Sequence, residues 1–594
     1  MSQASLGRNG KAPSPAEPAG THAPAPPQTD GAHQPGNAVS HRDEAARTSA
    51  PAGGGWRARA ARYAPAGAAA LAMVVLGLWG LARDSAMGND EVATRWAALL
   101  SLRDLAHLLN NQDAVHGLYY LLMHFWVAVG SSPAVLRIPS VAAMTVAVAL
   151  VAVLTGRLTG SGWAGLFAGL VMALTPMISF YAQTARSYAM VLACVVAATL
   201  VLVHALSAEA AGTGGQRVMR WWLGYGALVV VAGYLNEMAL LMLAAHAVTV
   251  LLARYGMAVV RRWAVTAAVS VVVAVPLILI SVREDNAVGW IPRPGLGALR
   301  VLFHDYFGSA TVVALLLLVC AVIAVLPGGA PAGAASAGAT APAWWRGGVS
   351  LPSVAAPLLV APALVLILES LVARPFYVDR YVLYGAAGAA MLAGAGLWRA
   401  GRWLAGRFGN RPGLVWVPGV AVCVCALVLQ LGPQQRIRTP ASRLFNFGGP
   451  SAYVAANARQ GDGVMFFGNL FRKARLGYPQ DYTKTTDFGM AKSPEQTGSF
   501  RGTDKPFPAV HPLMLDYQRI WVIGHAPSPQ LPAGLLRAES AVLQQNFRQV
   551  AEQRFAQPRR GHLADHPDPL VLQHERMDGR ERLVAAAERA RLRR

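Results

Sequence analysis

Only 4 cysteines occur in 594 residues. Cys194, Cys320, Cys423 and Cys425 all fall within long apolar runs, so a disulfide framework for exported loops is excluded. Cys423 and Cys425, two apart, do not share a helix face, and no histidine cluster joins them to make a metal site. Charge is also scarce, at 14% of residues against 54% hydrophobic. The mean hydropathy is +0.36, and so apolar a chain has more surface to bury than one soluble core uses. Lysine is nearly missing, with 5 of 52 basic residues against 47 arginines. That usage, with abundant Ala, Gly and Pro, fits a GC-rich bacterial genome. After residue 431 there is no GxGxxG loop and no nucleophile elbow, so the sequence assigns no catalysis to that region.

What is present is a series of hydrophobic runs separated by arginine-rich connectors. The formal net charge of +22 would suggest nucleic acid in a soluble protein. Here the arginines sit between apolar runs, where they orient loops, and no nucleic-acid partner is expected. Residues 1–55 are rich in Pro, Ala, Gly, Ser and His without apolar periodicity and read as a disordered cytoplasmic tail. Arg57, Arg59 and Arg62 precede an apolar run at 64–82, and with no small-residue cleavage site close behind it the run reads as a retained anchor.

A span needs roughly 20 mainly apolar residues. Candidates lie near 64–82, 133–155, 163–181, 187–206, 221–236, 238–253, 263–282, 309–327, 351–372, 378–398 and 414–431, about eleven in all. The fifth and sixth form one run broken only by Asn236-Glu237, so one span or two remains open there. Arg399, Arg402, Arg407 and Arg411 in one loop, and Arg254, Arg261 and Arg262 in another, fall on the side of the N-terminal patch. The loop 83–132 holds three arginines against five carboxylates, which by the positive-inside rule puts it outside, with 283–308 and 432–594. The fold class expected is a polytopic α-helical membrane protein, with residues 56–431 as the membrane domain and 432–594 as a small extracytoplasmic α/β domain with a basic tail.

Within that frame, Val92, Trp96, Leu99, Leu102, Leu105 and Leu109 recur at helical spacing, predicting an amphipathic helix in the outer interface. Residues 328–348 read as a flexible connector. In the last region, 451–460 and 538–552 read as helical. Val464-Met465-Phe466-Phe467, Ile520-Trp521-Val522-Ile523 and Leu570-Val571-Leu572 read as strands.

Ionisable and polar residues recur at one membrane surface in a fixed order. Asp90-Glu91 follows the first run, then Asp113 and His116 lead into Leu118-Tyr119-Tyr120-Leu121-Leu122. Leu136-Arg137-Ile138-Pro139-Ser140 opens the next run, and Tyr181-Ala182-Gln183-Thr184-Ala185-Arg186-Ser187-Tyr188 leads out of the one after. This order resembles the C-type (GT-C) membrane glycosyltransferases, in the branch similar to protein O-mannosyltransferases and aminoarabinose transferases. It covers residues 64 to about 206, with a weaker echo at Asp379-Arg380-Tyr381-Val382-Leu383. The chain departs from the branch at His116-Gly117-Leu118, where a His-Pro-Pro element is usual. It departs again at Tyr234-Leu235-Asn236-Glu237, where a Thr-His-Tyr element is common, which bears on sugar and acceptor identity.

The resemblance implies an actinobacterial enzyme that transfers a sugar from a polyprenyl-phosphate donor to an acceptor hydroxyl, with inversion, on the outer face of the plasma membrane. Such chemistry needs a carboxylate to take the hydroxyl proton and cations to receive the leaving phosphate. The resemblance marks Asp90 as base, with Glu91 orienting acceptor or sugar. Arg186, Arg380 and Arg137 are the phosphate candidates, since guanidinium forks match phosphate oxygens; an arginine at a span end also snorkels to headgroups without any such role. Asp113 is divided between a sugar contact and a local turn. His116, Tyr188, Gln183 and Glu237 complete the expected sugar and acceptor contacts. Mannose is the sugar expected, with a protein, lipid or glycan acceptor, membrane lipids as neighbours, and no cofactor or metal. The competing class is a lipid or glycan transporter or flippase, whose internal repeats and broken midplane helices the sequence does not display.

Overall fold

The computed structural model describes residues 55–83, 86–212, 215–284, 291–326, 348–443, 445–466, 470–525, 545–555, 569–578, 580–582 and 585–586. The tail 1–54 and nearly all of the connector 328–348 lie outside the described residues. Of the compact unit Met1–Ala58 only the last residues are described, and the described residues from Arg59 onward belong to one compact unit.

The chain is helical up to Arg436. The helices are α1 (Gly55–Leu78), α2 (Asn89–Leu99), α3 (Leu102–Leu109), α4 (Gly117–Trp126), α5 (Pro133–Thr159), α6 (Gly162–Leu174), α7 (Pro176–Ala182) and α8 (Tyr188–Ala210). They continue as α9 (Gln216–Leu235), α10 (Met242–Ala253), α11 (Met257–Arg283), α12 (Leu296–Phe307), α13 (Thr311–Val325), α14 (Leu351–Val372), α15 (Gly385–Arg407) and α16 (Val417–Arg436). Among the described residues, 6 helices are long and apolar enough to cross a membrane, or up to 8 if each bent pair is one span. The bent pairs are α6 with α7, at 70°, and α12 with α13, at 78°. The expected count of about eleven is therefore larger than length and composition support. Tyr63–Leu78 and Glu237–Ala253 are apolar but short.

Helix α15 fails the apolar test for a different reason. Its Gly/Ala-rich face is built for contact with other helices, and thirteen consecutive residues from Gly385 to Leu397 are buried. A Cβ at Gly394 would collide with the backbone of Ala168 on α6. Small residues of this kind let helix backbones approach closely inside a membrane bundle. On α11, by contrast, Val265, Val269, Val272 and Leu279 are exposed, as a lipid-facing helix requires.

The segment read as one amphipathic helix is two. Leu100 is extended, and Ser101 starts α3 by accepting from the Asp104 amide at 3.2 Å. Val92, Trp96 and Leu105 are buried while Leu99 and Leu102 are exposed, so the break re-aims the apolar face inward. The 283–308 segment, expected as an outer loop, contains α12.

The apolar run at 221–253 does break at Asn236. Its backbone is extended and its side chain accepts from the Met238 amide at 3.0 Å, starting a new 3-10 turn at Glu237–Leu241. Capping by Asn at such a junction ends one helix and begins the next.

The C-terminal region holds α17 (Gly448–Asn457), α18 (Lys473–Gly477) and seven strands: β1 (Asp462–Phe466), β2 (Thr485–Asp487), β3 (Met490–Lys492), β4 (Thr503–Asp504), β5 (Arg519–His525), β6 (Phe547–Arg554) and β7 (Pro569–Arg576). Five form one mixed sheet in the order β2-β1-β5-β7-β6, with β1 parallel to both neighbours and β7 antiparallel to both of its own. Buried Asp462 accepts from Arg519 and from Trp521 Nε1, tying β1 to β5. Of the helix expected over 538–552, residues 538–544 lie outside the described residues, and the expectation is overturned over 547–552, because Phe547–Arg554 pairs with β7 as an edge strand. Its polar residues face outward, so the sheet recruits it through backbone pairing that its composition does not announce.

This region is seated on α2. The Met87 amide donates to Tyr478 Oη at 2.7 Å, Arg95 Nη1 donates to the Gly477 carbonyl at 2.8 Å, and the Phe500 amide donates to Gln112 Oε1 at 3.2 Å. The Phe500 ring meets Trp96 edge-on at 5.5 Å. Residues far along the chain thereby reach the surface that carries Asp90.

Candidate active site

Beside α2 lies a cavity of about 820 Å³ whose wall has two chemical characters. Leu240, Leu241, Leu243, Val271, Ile278 and Val282, from the α9–α10 junction, α10 and α11, supply apolar wall. Asp90, Asp113, His116, Arg186, Arg380 and Lys473 supply polar and charged wall.

Asp90 sits in the first turn of α2, where a helix N-terminus favours a carboxylate. It is half-buried. Among the described residues its carboxylate accepts one hydrogen bond, from Asn89 Nδ2 at 3.4 Å, leaving most of its acceptor capacity unused. Burial alone raises the Asp90 carboxyl, but the charges of Arg186, Arg380 and Lys473 outweigh it and hold the group below the ordinary aspartate value.

Glu91 points the other way, and the role expected for it at the sugar is corrected by its partners. Its two oxygens receive Arg137 Nε and Nη2, both at 2.8 Å, and it also accepts from the amides of Ala185 at 3.0 Å and Gly88 at 3.3 Å. It is 2% exposed and Arg137 1%. Burial opposes the Glu91 charge, yet Arg137 and Arg443 hold the carboxyl down at about 2. Arg137 also donates to the Ala86 carbonyl at 2.6 Å. Expected as a third phosphate contact, it is committed to Glu91 away from the cavity wall. What the pair does is positional: Glu91 holds the Ala185 amide while Thr94 Oγ1 donates to the Ala185 carbonyl at 2.9 Å, so α2 grips the peptide next to Arg186.

Arg186 is 6% exposed. Its Nη2 lies 3.0 Å from Asp113 Oδ2, and its Nη1 donates to Tyr120 Oη, which in turn donates to Asp113. Arg186 Nε, buried, has no hydrogen-bond partner among the described residues. Asp113 has φ 64°, a left-handed conformation that Asp tolerates better than most side chains. Glu284 at the end of α11 secures it, accepting from the Asp113 amide at 2.7 Å and the Ala114 amide at 3.0 Å. Burial opposes the Asp113 charge, and Arg186, helped by the Tyr120 hydrogen bond, more than reverses this, holding the carboxyl well below the usual range. His116 Nδ1 lies 3.2 Å from Ser187 Oγ, and burial with nearby Arg186 depresses the imidazole to about 3, so it is neutral.

Arg380 stands on a short 3-10 turn, its guanidinium 5.9 Å from the Tyr188 ring and 5.6 Å from the Tyr381 ring. Tyr188 thus frames Arg380. Glu237 lines the cavity from the α9–α10 junction and accepts from Ser281 Oγ at 2.8 Å. Gln183 is a correction: its amide donates to the carbonyls of Gly77 and Trp79, at 2.8 and 2.9 Å, and ties α7 to the end of α1. Among the described residues no group of three or more His, Cys, Asp or Glu is disposed to hold a metal ion.

The cavity therefore collects Asp90, Asp113, His116, Arg186, Tyr188, Glu237 and Arg380, and leaves out Glu91, Arg137 and Gln183. It also collects residues the sequence reading missed, chiefly Glu284, Asn89, Lys473 and Arg501. No local pattern marks them; Lys473 reaches the site only because α18 packs on α2.

No protein-family model matches the chain, and no curated protein matches it. Among solved structures, ArnT from Cupriavidus metallidurans bound to undecaprenyl phosphate overlaps with a TM-score of 0.46 at 15% identity, over 88% of this chain and 98% of that one. The archaeal oligosaccharyltransferase AglB from Archaeoglobus fulgidus, in complex with an inhibitory peptide and a dolichol-phosphate, overlaps with a TM-score of 0.43 at 12% identity, over 83% of this chain and 73% of that one. Both overlaps are loose, and it is the chemistry of the cavity that bears on function.

Proposed function

We propose that this chain is an inverting glycosyltransferase of the plasma membrane that moves a sugar, mannose in the first instance, from a polyprenyl-phosphate donor to an acceptor hydroxyl on the outer face. One observation carries the proposal: the Asp90 carboxylate, nearly unspent as an acceptor, shares a cavity with Arg186 and Arg380 and with an apolar wall from helices that border the bilayer. The motif order in the sequence supports the same reading.

In this reaction the acceptor hydroxyl gives its proton to an Asp90 oxygen and attacks the anomeric carbon. The bond from that carbon to the phosphate oxygen breaks, and its electron pair leaves on the polyprenyl phosphate. Arg186 and Arg380 receive the developing charge, and their fixed positions supply it with partners that need no reorganisation. A phosphate lodged against these arginines also offsets the charges that depress Asp90, so the carboxylate is a stronger base once the donor is bound. The apolar wall takes the first isoprene units, and Glu237 and Asp113 are left to meet sugar hydroxyls.

The test uses purified full-length protein in lipid nanodiscs with radiolabelled polyprenyl-phosphate sugars and a cell-envelope extract. Transfer of label by wild type and its loss in Asp90→Asn, with donor binding kept, supports the enzyme. Donor movement across the bilayer with no transfer from any donor supports the transporter instead.

A further inference from the structure

Lys473 is a buried cation with too few partners. It is 7% exposed and its ammonium has three donors to place. Among the described residues it makes one hydrogen bond, to Asn89 Oδ1 at 2.9 Å, and lies 4.8 Å from the Phe500 ring centroid. No described carboxylate pairs with it. Removing a charge from water without an ion pair is costly, and burial has brought the ammonium down to about 8 against the pull of Asp113 and Asp90. An anion arriving in the cavity would supply the missing partner. Arg501 lines the same end of the cavity, and its exposed guanidinium makes no ion pair with a described residue.

The partners of Lys473 differ from those of the arginines assigned to the donor: Lys473 bonds Asn89, next to Asp90, whereas Arg186 bonds Asp113 and Tyr120. Lys473 and Arg501 belong to the C-terminal region, whereas the apolar wall belongs to the membrane helices. Asp90 feels the charges of Arg186, Arg380 and Lys473 together, and Lys473 in turn feels that of Arg186. Asn89, which bonds Lys473 at 2.9 Å and Asp90 at 3.4 Å, sets Lys473 beside the base. With the donor phosphate on Arg186 and Arg380, Lys473 and Arg501 are the lysine and arginine of the described cavity lining left to the acceptor.

We infer that Lys473 and Arg501 form an anion-binding subsite on the acceptor side of Asp90, so that the acceptor carries a carboxylate or phosphate group near the hydroxyl that is glycosylated. This rests on the transferase reading proposed above.

The experiment separates a cell-envelope extract into acidic and neutral fractions by anion exchange and offers each to the full-length protein with polyprenyl-phosphate-mannose. Glucuronic acid and glucose serve as competitors. Label is expected in the acidic fraction, with inhibition by glucuronic acid and not by glucose; phosphatase treatment of that fraction distinguishes a phosphate from a carboxylate. Lys473→Met is expected to raise acceptor KM by roughly 10- to 100-fold, the range of a lost charged hydrogen bond, with donor Kd within about twofold. Lys473→Arg is expected to restore part of the loss, and preserved donor binding shows that the variants fold. Labelling of the neutral fraction alone with unchanged KM in Lys473→Met overturns the subsite while leaving the transferase standing. Loss of donor affinity in Lys473→Met equal to that in Arg186→Lys also overturns it, because Lys473 then belongs to the donor phosphate. Absence of transfer by wild type from every donor removes the transferase reading and the subsite with it.

Discussion

Glu91 and Arg137 face each other in a buried two-point ion pair, with both N···O distances at 2.8 Å. Among the described residues, adjacent Asp90 has neither a salt bridge nor a saturated carboxylate. Two neighbouring carboxylates thus divide into one that holds the site together and one that faces its contents.

The pair predicts a stability difference. Glu91→Ala leaves the Arg137 charge buried without its partner, a loss of about 3–5 kcal/mol. A Glu91→Leu/Arg137→Met double variant, which removes both charges, is expected to lose less. Thermal unfolding in detergent, following the melting temperature of each variant, checks the order; a double variant less stable than the single one contradicts it.

Asp90→Asn keeps the volume of the side chain but cannot accept the hydroxyl proton. Turnover is expected to fall by roughly 10²–10⁴, while donor Kd changes little. Single-turnover transfer and equilibrium donor binding, measured on the same preparation, decide the matter, and full transfer by the variant removes Asp90 from the chemistry.

Arg186→Lys and Arg380→Lys keep a charge and lose the planar fork. Each is expected to weaken donor binding by roughly 10- to 100-fold. Arg186→Lys carries an additional loss of thermal stability, since Arg186 also binds Asp113 and Tyr120. Donor titrations with unchanged affinity in both variants would reassign these arginines to holding the loops.

Acid should destabilise the protein in two stages. The buried imidazole of His116 is depressed from 6.5 to about 3, so as pH falls below 6.5 the unfolded chain takes up a proton that the folded state does not. Stability then falls by about 1.4 kcal/mol per pH unit for each such group. His574, depressed by burial to about 4, acts in the same direction. Glu91, with a folded value of about 2 against an ordinary 4.5, contributes stability that is full above 4.5 and is lost as pH falls through 2. Unfolding measured from pH 7 to 4.5 should show a shallower slope in His116→Gln than in wild type; equal slopes would contradict a neutral buried imidazole.

Topology is tested by single cysteines in a cysteine-free background. Arg103→Cys and Gln460→Cys are expected to react with an impermeant maleimide in intact cells, and Arg402→Cys only after permeabilisation. Reaction at position 460 only after permeabilisation would move the C-terminal region to the inside.

Hydropathy, charge order and motif order are local properties of the chain, and they were legible in the sequence. The runs that became α5, α8, α9, α11 and α14 are set by some twenty apolar residues each, and the positions of Asp90, Asp113, Arg186 and Arg380 follow from their order around those runs. Asn236-Glu237 was visible as the interruption of its run, with one span or two left open, and the Asn cap that makes it a break acts within two residues. The division of labour between Asp90 and Glu91 was not visible, because it depends on which side of α2 meets Arg137 on α5, some fifty residues away. Helix α15 read as one more span, and only the structure shows its Gly394, Gly396 and Gly388 to be contact points for α6, α13 and α14. The edge strand β6 reads as helix by composition and becomes a strand only because β7 offers it unpaired backbone. Lys473 and Glu284 reached the cavity through packing alone, and no spacing rule connects α18 or the end of α11 to Asp90. The local code could place ionisable groups at the ends of apolar runs, but which side chains share a cavity, and which are spent on one another, is decided by long-range contacts that place groups within 3 Å.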